Sequence, residues 1–194
     1  HVLTNREKEG LTEYLLTTFQ EADEKCWRQM CSLIASIARI GWPNLVPLLL
    51  QKITSLSLGS QSKELLLEEC RVLNLLGHVL EALSEKRIPA HRKFFRSLCV
   101  ECFSHMCSIA HNTTQNLCES LRTYLTCVQN ANGSEVGSSR EPLIELIAMR
   151  ACELWRAMSI ILSNGFEDIS LASSEQQVLP LFIEGWIDSL EEAV

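Results

Sequence analysis

Cys99-Val100-Glu101-Cys102, followed by His105, is the grouping in this chain whose residue types best suit metal chemistry. Zinc takes Cys and His ligands, and positions three apart share one face of a helix. A structural zinc site needs four ligands, however, and the next thiol, Cys107, falls on another part of the helical surface. Phe94, Phe95, Phe103 and Met106 surround the motif, so these thiols read as core residues. His78, with Glu81 one turn on, has the makings of a general base. Yet no Ser, Cys or Asp is spaced to complete a nucleophile–base–orienter set, and no GxSxG or glycine-rich phosphate loop occurs. The third grouping, Arg87, Arg92, Lys93 and Arg96, is basic and reads as ordinary surface or as a place for an acidic partner segment. Neither an enzyme nor a cofactor-binding protein is expected.

What remains is polar residues at helical spacing, and these need elements to position them. With 46% hydrophobic and 21% charged residues the chain is an ordered globular protein. A formal charge of -7 argues against direct nucleic-acid or anionic-membrane binding, and no apolar run reaches the ~18–20 residues of a membrane span. Nine cysteines, an odd number, sit mostly alone among Leu, Ile and Ala. That usage suits small buried hydrophobes in a reducing compartment, the cytoplasm or nucleus, where two N-x-S/T matches carry no meaning. The first residue is His, and the expectation is an internal segment of a longer protein.

Apolar residues recur at three- and four-residue steps, and no run alternates with period two. Helices are predicted over Arg6–Phe19, Asp23–Arg39 with Asp23 as N-cap, Pro43–Ser55, Lys63–Ser84, and Pro89–Ala110. A shorter helix capped by Thr113 or Thr114 is predicted to run through Val128. Pro142–Leu162, stopped by Asn164-Gly165, and a helix within Ser174–Glu191 containing Pro180 complete seven or eight. Asn130–Arg140 reads as a flexible loop. The fold class is all-α, either a bundle or an α-solenoid. Pro43, Pro89 and Pro142 each open a helix, 46 and 53 residues apart. HEAT and armadillo arrays repeat every ~40–47 residues, so the spacing favours a curved solenoid of HEAT-like hairpins, a single array over residues 1–194. Gly41-Trp42-Pro43 reads as a repeat junction: Gly41 ends one helix, Trp42 covers the joint, and Pro43 starts the next. Trp155 and Trp186 read as core or inter-repeat packing.

In a solenoid the second helices of successive repeats line one extended wall. Lys25, Arg28 and Arg39 would give that wall a basic patch, and Glu64, Glu68, Arg71, His78 and Glu81 a mixed, acidic one. Plain solubility accounts equally well for any one of these charges.

Three elements in order resemble the importin-β (karyopherin-β) family of nuclear transport receptors: Tyr14-Leu15-Leu16, then Ile34-Ala35-Ser36-Ile37-Ala38-Arg39, then Trp42-Pro43-Asn44-Leu45-Val46-Pro47-Leu48-Leu49. One branch of the family adds a leucine-rich helix closing on "KRL" and a "DRKLF"-like start. Ser84-Glu85-Lys86-Arg87-Ile88 and His91-Arg92-Lys93-Phe94-Phe95 are similar to these, and Asn164-Gly165-Phe166 to a late "NGF". The resemblance covers most of the chain. It implies a HEAT arch, protein cargo, Ran-GTP and nucleoporins as partners, and shuttling between cytoplasm and nucleus. It also implies that about two repeats bearing the main Ran contacts precede this region, and that Thr113–Asn130 is an extra element inside a repeat. A HEAT scaffold of a stable complex and an exportin are the alternatives.

Overall fold

The computed structural model describes residues 4–41, 45–57, 62–85, 88–130 and 141–165. These form six helices: α1 (Asn5–Glu21), α2 (Glu24–Gly41), α3 (Leu45–Ser57), α4 (Lys63–Ser84), α5 (Pro89–Asn130) and α6 (Glu141–Asn164). Among the described residues there is no strand, and no helix is long and apolar enough to cross a membrane.

Helix starts follow local chemistry. Thr4 and Glu7 form a reciprocal capping box at α1, which periodicity alone does not show. Asp23 caps α2 as predicted, its Oδ1 accepting from the Cys26 amide at 2.8 Å. The Ser62 hydroxyl accepts from Leu65 N at α4. Pro89 opens α5, and Pro142 lies in the first turn of α6. α6 stops at Asn164, where Gly165 N donates to Ile161 O at 2.7 Å. A Cβ on Gly165 would meet Cys99 Cβ, Cys99 Sγ and the Ile161 carbonyl at 2.6 Å, so only glycine lets α6 approach α5 this closely.

Two expectations are corrected. Thr113 and Thr114 do not cap a separate helix. Both are buried, and their hydroxyls donate to Ile109 O at 2.8 Å and Ala110 O at 2.9 Å, back-bonding along the preceding turn. With its hydroxyls so occupied, α5 runs unbroken for 42 residues, so Thr113–Asn130 is its second half and not an extra element. It follows that Pro142 opens the second helix of the α5/α6 hairpin, so the 53-residue interval is not a repeat period. The loop residues 131–140, Trp42 and Pro43, Arg87, and the predicted helix at Ser174–Glu191 with Pro180 and Trp186 lie outside the described residues.

The helices form hairpins α1/α2, α3/α4 and α5/α6, arranged as an α-solenoid. α4 packs between α2 and α6, and α3 meets α5 in the other layer. Side-chain bonds give the stacking direction. From the first hairpin to α4 they join Ala22, in the turn before α2, with Arg71, then Cys31 with Asn74 and Arg39 with Glu85, at separations of 49, 43 and 46 residues. From α4 to α6 they join Cys70 with Leu146, Asn74 with Glu153 and Glu81 with Arg156, at 76, 79 and 75. Pairs that advance together along both chains mean parallel second helices, as stacked hairpins require and an antiparallel up-and-down bundle does not.

α4 is the centre of the array. Its buried residues, which include Leu66, Cys70, Val72, Leu73, Leu75, Leu76, Gly77, Val79 and Leu80, make a face wider than a simple amphipathic stripe, because α2, α3, α5 and α6 all touch it. The core continues through Ile34, Leu49, Ile53, Phe95, Met106 and Leu154, with Trp155 half-buried against it. Cys99, Cys102 and Cys107 lie in this core, and burial pushes their thiols up to about 12, 11 and 12. His105 faces outward, its Nε2 2.6 Å from Thr54 Oγ1 on α3. Among the described residues no three His, Cys, Asp or Glu side chains gather closely enough to hold a metal ion. Cys26 and Cys152 are exposed, contrary to their reading as buried hydrophobes.

Candidate functional site

Where α2, α4 and α6 lie side by side they enclose an open cleft of about 470 Å³. α2 contributes Trp27, Arg28 and Ser32; α4 contributes Leu67, Cys70, Arg71, Asn74 and His78; α6 contributes Met149 and Glu153. Side chains of one helix share this wall because they recur at steps of three and four.

Trp27 anchors one end. The edge of Phe19 from α1 meets its ring at a centroid distance of 6.4 Å and an interplanar angle of 85°. The guanidinium carbons of Arg28 and Arg71 lie 5.6 and 5.8 Å from the same ring centroid, within cation–π range. Arg71 Nη1 also donates to Ala22 O at 3.2 Å, placing a cation against the carbonyl end of α1.

At the other end a polar chain crosses all three helices. Cys31 Sγ donates to Asn74 Oδ1 at 3.5 Å, and Asn74 Nδ2 donates to Glu153 Oε1 at 2.8 Å. Glu153 Oε2 stands 3.7 Å from Arg156 Nη1, and Arg156 Nη2 lies 3.0 Å from Glu81 Oε2. Burial, then the Arg156 charge, lowers the His78 pKa, with Glu81 and Glu153 opposing; the imidazole is therefore held neutral at pH 7. Cys70, the thiol lining the cleft, is pushed up to about 12 by burial and then by Glu69, and its Sγ points its proton at Leu146 O. A thiol held protonated is a poor nucleophile, and among the described residues no nucleophile or orienting carboxylate is hydrogen-bonded to the His78 imidazole.

The predicted stripe is only partly brought together. Arg28, Arg71 and His78 line the cleft, with Glu81 joined to it through Arg156. Glu68 turns instead toward Lys52 Nζ at 2.9 Å and accepts from Gln20 Nε2 at 3.4 Å. Arg39 pairs with Glu85 at 3.5 Å at the far ends of α2 and α4. Lys25 and Glu64 are exposed and take no part in lining the cleft. The envisaged division into a basic and an acidic patch is therefore replaced by one mixed cleft.

Sequence reasoning missed a buried ion pair between two of the helices that line it. Glu69 and Arg150 are 2% and 3% exposed, and Arg150 Nε sits 2.9 Å from Glu69 Oε1. A signal was available: Glu69 falls among Leu66, Cys70 and Leu73, and Arg150 among Ile147, Ala151 and Leu154. One opposite charge on the apolar face of each of two helices marks a buried pair.

No family model matches the chain, and no solved structure does. Over 155 residues, 77% of its length, it is 32% identical to Importin-11 of Mus musculus and 31% identical to Importin-11 of Homo sapiens. The chain spans only 14% of either relative. It is thus similar to one stretch of the importin eleven branch, the branch whose "KRL" and "DRKLF" signatures Ser84–Ile88 and His91–Phe95 resemble.

Proposed function

We propose that this chain is a helical-repeat segment of an importin-β-type nuclear transport receptor, not an enzyme. It would move protein cargo between cytoplasm and nucleus, pass nucleoporins, and exchange cargo in response to Ran-GTP. The observation that carries this reading is the 32% identity over 155 residues to Importin-11, in a chain whose hairpins stack as a solenoid. The cleft across α2, α4 and α6 supports it with a wall suited to protein contact: aromatic, guanidinium and exposed apolar groups side by side. The stacked architecture supports the regulatory part of the reading, since small changes at each seam of such an array would add up along it.

The test is a pull-down from cell extract with the full-length protein, with and without Ran locked in its GTP form. Cargo retained without Ran-GTP and released by it is the expected result. Cargo unaffected by Ran-GTP would overturn the reading in favour of a scaffold subunit, and cargo held only together with Ran-GTP would make the protein an exportin.

A further inference from the structure

The cleft between α2, α4 and α6 is lined by more cationic than anionic side chains, in a chain whose net charge is -7. Its charged lining consists of Arg28, Arg71 and Glu153. The Glu153 carboxylate accepts from Asn74 at 2.8 Å through one oxygen, and the other, without a hydrogen bond among the described residues, has the Arg156 cation 3.7 Å away. His78 is held neutral by burial and by Arg156. Arg71 is different. It is half-buried, donates to one backbone carbonyl, and has no carboxylate within ion-pair reach among the described residues. Its Nε is buried with no hydrogen-bond partner there. A guanidinium withdrawn from water normally finds an anion, and a carboxylate matches its fork.

The remainder of the lining is apolar and open. Leu67 of α4 and Met149 of α6 line the cleft at 37% and 42% exposure, together with the half-buried Trp27. Large apolar side chains left open next to an unneutralised cation suit a ligand that presents both an anion and a hydrophobe.

We propose that this cleft takes an acidic segment of a partner protein, a carboxylate seated on Arg71 beside Trp27 and an adjacent apolar side chain resting on Leu67 and Met149. The assignment rests on the reading of this wall as a protein-contact surface and specifies its chemistry. A basic segment would set its cations against Arg28 and Arg71, a like-charge contact that disfavours binding. A nucleic acid would satisfy the Arg71 guanidinium but leave Leu67 and Met149 uncovered, and the net charge of -7 opposes it.

The experiment is fluorescence anisotropy with the full chain and three labelled probes. These are a 12-residue peptide of Asp, Glu, Leu and Phe, the same peptide with Lys replacing every acid, and a 12-nucleotide oligothymidine. The acidic peptide is expected to bind saturably and at least tenfold more tightly than the other two. Arg71→Met should weaken it at least tenfold. Because Arg71 also braces α1, the deciding variants are Met149→Glu and Met149→Lys, both at an exposed position. The first should lose at least tenfold and the second should bind as well as the parent or better. Equal binding of the basic peptide or the oligonucleotide, no saturable acidic-peptide binding, or indifference to Met149→Glu would overturn the proposal. Cargo release by Ran-GTP alongside such a failure removes the acidic-segment assignment alone; loss of the Ran response alongside intact peptide binding removes the transport reading alone.

Discussion

Arg150→Met isolates what the buried ion pair does. Arg150 and Glu69 are 3% and 2% exposed and 2.9 Å apart, so deleting one charge strands the other where water cannot reach it. Breaking a buried pair from one side costs about 3–5 kcal/mol, because the orphan keeps its desolvation penalty and loses its partner. For a chain of this size each kcal/mol moves Tm by roughly 2–4 °C, so a fall of about 6–20 °C is expected. The pair itself is not a net stabiliser by the same reasoning: replacing both ions with apolar groups is often neutral or favourable. Glu69→Met combined with Arg150→Met should therefore recover to within about 1 kcal/mol of the parent or exceed it. Thermal and urea melts followed by circular dichroism of the parent, both single variants and the double variant supply the cycle. An Arg150→Met cost below about 1 kcal/mol, or a double variant no better than the worse single, would refute the reasoning.

Two glycines should respond with opposite signs. Gly165→Ala must push Cβ into Cys99 and the Ile161 carbonyl, all at 2.6 Å, and should cost about 1–3 kcal/mol by urea denaturation. Gly77→Ala would meet the Arg156 guanidinium at an ordinary 3.8 Å and should gain about 0.5–1 kcal/mol, since Gly77 lies inside α4. Thiol labelling of the folded chain at pH 7.5, read by mass spectrometry, should modify Cys152, spare Cys31, Cys70, Cys99, Cys102 and Cys107, and modify Cys26 more slowly than Cys152, because Asp23 holds the Cys26 thiol above its ordinary range. His78 is depressed below its ordinary 6.5, so the unfolded chain takes up its proton first; the stability it confers is held above that value and lost as pH falls through it. His78→Gln should accordingly narrow the gap between urea midpoints at pH 7.5 and 5.5, and an unchanged gap would contradict this.

Much of the architecture was readable because a helix is specified within a few residues of itself. Asp23, Pro89 and Pro142 mark starts by chemistry confined to one turn, and the apolar period marks what lies between. The misreading at Thr113 and Thr114 has the same local origin. A threonine hydroxyl serves either a cap or the carbonyl four residues back, and the choice depends on burial that no local pattern displays. From that one ambiguity came both the supposed extra helix and the misplaced role of Pro142. The cleft was legible as a set of candidates but not as an arrangement. Arg28, Arg71 and His78 come together because α2 stacks parallel to α4, whereas Glu68 is drawn off by Lys52 from α3, a neighbour its own helix gives no hint of.

The two seams that frame the cleft are built differently, and the difference bears on how it can hold a partner. Between α4 and α6 the contacts are directional at three levels, Glu69 with Arg150, Asn74 with Glu153 and Glu81 with Arg156, the first of them almost fully buried. Any slip of α6 along α4 breaks that buried pair, at a cost of several kcal/mol. Between α2 and α4 the polar links are a thiol–amide bond at 3.5 Å and the Arg39–Glu85 pair, whose side chains are 51% and 61% exposed, while Arg71 reaches past α2 to Ala22 O at the end of α1. An exposed pair of that kind contributes about 0–1 kcal/mol, and the apolar packing beside it tolerates small sliding because dispersion has no preferred direction. Leu67 and Met149 thus stand on the stiffer seam, while Trp27 and Arg28 ride on the more compliant one. Directional bonds therefore fix the register of α6 on α4 more tightly than that of α2 on α4, and Met149→Lys or Met149→Glu on α6 should leave the spacing of the Glu69–Arg150 pair unchanged.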